Sequence, residues 1–165
     1  MKKPESIFVR YKQLIAAILQ CDPIDIKFYI SERGNIGEAE WKIRDELDSQ
    51  DYIKNNTAQL GYYEIFKDTI KVASFRLYQM PHCCAYVVSC NALVYEDFKN
   101  KGIGTLLNQL RQDIGIMLGY SSILCTDIES NTSQRNLLRR NEWIDVHSVV
   151  NKRTKNKVFI SIKDL

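Results

Sequence analysis

Val94-Tyr95-Glu96-Asp97-Phe98-Lys99-Asn100-Lys101-Gly102-Ile103-Gly104-Thr105-Leu106-Leu107 joins a strand end, a short basic loop and a helix opened by two glycines. That order makes an anion site. The first N–H groups of a helix have no intrahelical acceptor, and the helix dipole adds partial positive charge there. Gly102 and Gly104 leave room for phosphate oxygens to approach the backbone, and Lys99 and Lys101 add charge. Two familiar phosphate motifs do not fit. A dinucleotide fingerprint needs a third glycine where Leu107 stands, and the lysine of a P-loop is missing. Alternatively, the two glycines mark a tight turn with a close packing contact.

Outward from this stretch, apolar residues at 103, 106, 107, 110, 114, 117 and 118 predict a helix over Gly102–Leu118, stopped by Gly119. Ser122–Asp127 reads as a short buried strand. With the strand Ala85–Val94 before the helix, this makes a βαβ unit with parallel strands. Asn131 or Thr132 caps a helix to about Arg140, and Trp143–Val150 with Lys157–Ile162 form a last hairpin. Upstream, Tyr62–Phe66 and Thr69–Tyr78 are rich in β-branched and aromatic residues and predict antiparallel strands. Helical spacing predicts a first helix over Glu5–Gln20, then a strand over Ile24–Ile30. Ile36–Leu47 reads as a second helix with an acidic outer face, and Asn55-Asn56 as a loop. The chain is therefore expected to be one α/β domain over residues 1–165. Its sheet should be mixed and mostly antiparallel, with flanking helices and a central βαβ unit.

Composition agrees with one packed domain: 165 residues, 45% hydrophobic and 26% charged. No apolar run approaches the ~20 residues of a membrane helix, and the start lacks the apolar core of a signal peptide. The five cysteines, Cys21, Cys83, Cys84, Cys90 and Cys125, are odd in number and form no C-x-x-C pair. They are expected as small buried hydrophobes in a reducing, cytoplasmic setting, with no metal. Charge is unevenly spread. Asp22–Asp51 holds nine acids against four bases, whereas Arg135–Lys157 holds seven bases against two acids. One region would favour a cation and the other an anion, unless both are solvated faces.

The loop Lys99-Asn100-Lys101-Gly102-Ile103-Gly104 resembles the R/Q-x-x-G-x-G/A acetyl-CoA loop of the GNAT family of N-acetyltransferases, with Lys in the first place. Ala92-Leu93-Val94 and Thr105-Leu106-Leu107 on either side look like that family too. Downstream, its N-x-x-A-x-x-L-Y-x-K-x-G-F pattern aligns with Asn131 through Trp143, where Asn131, Leu137, Arg140 and Trp143 fit. The resemblance runs from about Thr57 to the C-terminus.

The resemblance implies acetyl-CoA as co-substrate. Its pantetheine arm would lie between the strands ending at Val94 and Asp127, against the backbone of Ala92, Leu93 and Val94. Its pyrophosphate would sit on Lys99, Asn100, Lys101, Gly102, Ile103, Gly104 and Thr105, and Asn131 would face the pantetheine. A backbone N–H near Val94 would polarise the acyl carbonyl. Two departures stand out: Leu138 occupies the place of the family's general-acid Tyr, and Glu142 that of its usual Gly. Ser133, near the same helix start, is the candidate proton donor. Glu96, Asp127 and Glu129 are the candidates for the base that takes the amine proton. Tyr62, Tyr63, Tyr86 and Tyr120 are candidates for an acceptor pocket.

The expected activity is direct acetyl transfer to a primary amine. The acidic Ile36–Asp51 helix aligns with the family's acceptor wall, which would favour a cationic amine acceptor: a small polyamine-like amine, a lysine side chain or an N-terminal amine. Two other functions stand beside it. One is a regulatory module that holds CoA without turnover. The other is a toxin-like enzyme acting on aminoacyl-tRNA, with Arg135–Lys157 gripping phosphates; a pI near 8.5 does not favour nucleic acid. No membrane partner is expected, and a homodimer is left open.

Overall fold

The computed structural model describes residues 6–33, 41–47 and 60–165. Helix α1 (Ile7–Leu19) buries Phe8, Tyr11, Ile15 and Ala16 at helical spacing and ends on Gln20, which takes a left-handed φ of 52°. Strands β1 (Ile26–Arg33), β2 (Trp41–Glu46), β3 (Gly61–Lys67), β4 (Ile70–Gln79) and β5 (Tyr86–Val94) follow. Helix α2 (Ile103–Met117), β6 (Ser122–Ile128), α3 (Thr132–Arg140), β7 (Ile144–Val150) and β8 (Lys157–Asp164) complete the chain.

All eight strands form one sheet in the order β2-β1-β3-β4-β5-β6-β8-β7. Every neighbouring pair is antiparallel except β5 and β6, which are parallel and joined through α2. The expected mixed sheet with a central βαβ unit is the observed one. α1 and α2 pack on each other and on the sheet, where Tyr11 donates a 2.7 Å hydrogen bond to Asp113. Beneath them Tyr63 stacks on Phe75 with ring centres 4.8 Å apart, and Phe8 lies 5.7 Å from Phe28. Tyr63 is fully buried in that stack, so it lines no acceptor pocket.

One element differs from expectation. The helix expected over Ile36–Leu47 is, where described, strand β2, paired antiparallel to β1 from Tyr29↔Glu46 to Arg33↔Trp41. Residues 34–40 and the expected Asn55-Asn56 loop lie outside the described residues. The physical reason is tertiary: β1 offers an open edge, and ladder hydrogen bonds outweigh a weak local helical preference. An acidic helix as an acceptor wall therefore has no basis over 41–46. The cysteines are all free, but Cys125 alone is fully buried, and Cys84 is exposed. No described helix is long and apolar enough to cross a membrane. Among the described residues, no three potential ligands gather to hold a metal.

β3 approaches β1 closely at Gly61. A Cβ built on Gly61 would stand 2.6 Å from the backbone oxygen of Ser31, an atom that cannot swing aside. Gly61→Ala is expected to lower stability by about 1–3 kcal/mol in urea unfolding, the usual cost of forced overpacking. An unchanged midpoint would mean that the two strands separate freely there.

Candidate functional site

The site begins with a defect in the sheet. Between Arg76↔Cys90 and Ser74↔Leu93, one residue of β4, Phe75, faces two of β5, Asn91 and Ala92. Asn91 takes a left-handed φ of 52°. This β-bulge bends β5 and increases its twist. On its other side β5 pairs with β6 from Tyr86↔Ser122 to Ser89↔Cys125 and no further. β6 continues to Ile128 on β8, and β5 continues to Val94 on β4. The two strands part beyond Ser89 and Cys125, and the edges that face each other have no ladder partner.

α2 starts at the open end of this gap. Gly102, its N-cap, has φ 91°, which a side chain would strain, and no side chain caps the helix. Asn100 just before is also left-handed, with φ 59°. Left-handed residues of this kind recur in the backbone concavities that bind anions. A Cβ at Gly104 would meet nothing within 4 Å, so the helix start faces open space. Lys99 Nζ lies 2.6 Å from Glu96 Oε2 in an exposed ion pair, and Lys101 Nζ donates to the backbone oxygen of Asp97 at 2.8 Å.

A cleft of about 690 Å³ joins the gap and the helix start. Of the residues expected from sequence, Ala92, Leu93, Val94, Lys99, Asn100, Gly102, Gly104, Thr105, Asn131 and Ser133 line it. Ile103 instead points into the core at 1% exposure, and Lys101 turns back along the loop. Glu96 and Asp127 do not line the cleft, and among the described residues no lining residue is an acid or a histidine. α3 forms one wall through Asn131, Ser133, Gln134, Leu137 and Arg140. Asn131 caps this helix, accepting from the Gln134 N–H at 3.3 Å. Leu138 lies on the opposite face, buried in the core at 2% exposure. Sequence reasoning missed Arg111, which also lines the cleft.

Asp127 belongs to a separate ion network. Arg135 Nη1 donates to both its carboxylate oxygens at 3.3–3.4 Å, and its two terminal nitrogens reach Asp145 at 3.0 and 2.6 Å. The guanidinium also lies 3.7 Å from the centre of the Phe159 ring. Burial pushes the Asp127 carboxyl up while Arg135 pulls it down; the Arg135 hydrogen bond holds Asp145 low. One cation holds two carboxylates and ties α3 to β6, β7 and β8. Arg135→Leu is expected to cost about 3–5 kcal/mol in urea unfolding by leaving Asp127 buried and unpaired, and Asp127→Asn in the same chain should restore much of it. A single variant as stable as the parent would contradict this role.

No family model and no curated protein matches the sequence. Solved structures do. A GNAT-family acetyltransferase from Streptococcus pneumoniae aligns with a TM-score of 0.57 at 11% identity, over 70% of this chain and 74% of its own. The ribosomal-protein-S18-alanine N-acetyltransferase of Escherichia coli gives 0.53 at 13% identity, over 70% and 76%. The yncA protein of Salmonella typhimurium, solved with its cofactor acetyl-CoA, gives 0.55 at 11% over 64% of this chain; the match spans 65% of that relative. The architecture around the cleft is thus the fold of the GNAT acetyltransferases.

Proposed function

We propose that the protein is an acetyl-CoA-dependent N-acetyltransferase that carries an acetyl group to a primary amine. The observation that carries the reading is the parting of β5 and β6 beyond Ser89 and Cys125, directly beside an uncapped helix start. The residues present fit the co-substrate. The unpartnered edge of β5 at Ala92–Val94 suits the amide groups of a pantetheine arm, as an added strand would. The N–H groups opening α2, with Lys99 and Arg140 at the rim, suit a pyrophosphate. The open space at Gly104 leaves room for it.

Acetyl-CoA supplies the activated acyl group as a thioester. The chain's part is to hold that carbonyl beside a backbone N–H of β5 and to bring the amine to it. Ser133 is exposed on the cleft wall near the start of α3, and we assign it as the hydrogen-bond donor to the departing thiolate. With no acid or histidine among the described residues that line the cleft, we assign water as the group that takes the amine proton. The same absence, with Leu138 in the core, favours one second reading: a module that binds CoA without turnover. Thiol release from acetyl-CoA across amine, peptide and tRNA acceptors separates the two.

Gly104→Asp tests the binding step. The carboxylate would stand where the pyrophosphate belongs, yet it complements the helix dipole and meets no neighbour. Acetyl-CoA affinity in calorimetry should fall by about tenfold or more with the unfolding midpoint kept. Unchanged affinity in the folded variant would place the co-substrate elsewhere.

Ser133→Ala tests the proton donor: kcat should fall by about 10²-fold with acetyl-CoA affinity unchanged. Parental turnover would leave direct thiolate departure as the route.

A further inference from the structure

α2 buries a charge that the acetyl reading does not use. Arg111 is 1% exposed, and its hydrogen-bond partners are all neutral: Ser89 Oγ at 2.9 Å, Asn108 Oδ1 at 3.1 Å and the backbone oxygen of Leu107 at 3.3 Å. No described carboxylate pairs with it. Three of its five N–H groups are used, which leaves two. Beside it the Asn108 side-chain nitrogen is buried with no acceptor at all. Cys125, which interacts electrostatically with it, is no counter-ion, because burial pushes its thiol up to about 12. Arg111 itself is lowered by burial to about 10 and so stays cationic at neutral pH. A buried cation and a buried N–H donor without acceptors are each costly, and an anion bound beside them would relieve the larger cost.

The place is specific. Ser89 is the last residue of β5 paired to β6, so the guanidinium sits at the closed end of the gap between the strands. It still lines the cleft. Along α2 it is seven residues from Gly104, about 10 Å deeper than the helix start.

Resting on the reading of the cleft as an acetyl-CoA site, we propose that Arg111 also recognises an acyl chain that ends in a carboxylate, so that the site takes a short dicarboxylic acyl-CoA in preference to acetyl-CoA. A carboxylate supplies two acceptor oxygens and one negative charge, which match the two unused guanidinium donors and the unbalanced cation. The transfer itself is unchanged. The amine nitrogen bonds to the thioester carbonyl carbon, the C–S bond breaks, and the sulfur leaves as thiolate. The amine proton passes to water, the thiolate is hydrogen-bonded by Ser133 and ends protonated as the thiol, and the distal carboxylate takes no part. Arg111 is a specificity-determining residue under this scheme.

Calorimetric titration of the full chain with CoA, acetyl-CoA and succinyl-CoA tests it. The wild-type protein should bind succinyl-CoA at least about tenfold more tightly than acetyl-CoA, the range of a charge-assisted hydrogen bond. Arg111→Met should erase that preference and leave CoA affinity within about twofold. Equal wild-type affinity for the two thioesters, or a preference that survives in a folded Arg111→Met, would overturn the proposal while leaving CoA binding intact. Failure to bind CoA itself would overturn the underlying reading as well. If Arg111→Met does not fold, the wild-type ratio alone decides.

Discussion

The bulge that sets Asn91 and Ala92 against Phe75 is the constraint on which the site depends. β5 is fixed on one side by β4 and β6 is fixed by β8, so neither strand can follow the other once β5 bends. The sheet opens in its middle rather than at an edge. Backbone groups that would be costly to leave unpaired in a closed sheet become accessible to a ligand with peptide-like amides. α2 then follows from the same strand through a short loop, which brings its uncapped start to the mouth of the opening. A strand defect and a helix terminus, both backbone features, create most of the cleft's binding capacity.

Two buried arginines show how the fold treats charge. Arg135 lies between Asp127 and Asp145 and over Phe159, so its charge is balanced within the fold. Arg111 has hydrogen bonds but, among the described residues, no opposite charge. The first arrangement fastens α3 to the strands behind it. The second places an unbalanced cation where the two central strands separate. The Arg135–Lys157 segment is consequently less of a phosphate-gripping surface than its charge count implies, since Arg135 is spent internally and Lys157 lies over Phe159 and near Glu129.

The βαβ unit was legible because each of its signals is local. Val94–Leu107 carries the strand end, the glycines and the helical stripe in one short stretch. Gly102 and Gly104 in the cleft wall follow from the same stretch, whereas Ala92–Val94 and the cleft role of Asn131 were implied only by the family resemblance. What was not legible depends on distant partners. Trp41–Glu46 becomes a strand because β1 lies beside it, and nothing local announces that. Asp127 was a fair candidate base by position, but the arginine that claims it is eight residues away on α3. Glu96 is instead tied to Lys99 on the exposed loop. Arg111 had one readable signal: it falls beside Leu107, Leu110 and Ile114 on the buried face of α2, where a charge is out of place. Leu138 lies in the core, which means that a tyrosine introduced there would first have to overpack it.

The most direct measurement is the crystal structure of the full chain with bound acetyl-CoA. The account places the pyrophosphate on the backbone of Lys99–Thr105 and the pantetheine arm between β5 and β6, alongside Ala92–Val94. The thioester should lie toward Ser89 and Cys125. Acetyl-CoA bound at any other face, or β5 and β6 closed into a continuous ladder beyond Ser89 and Cys125, would contradict it.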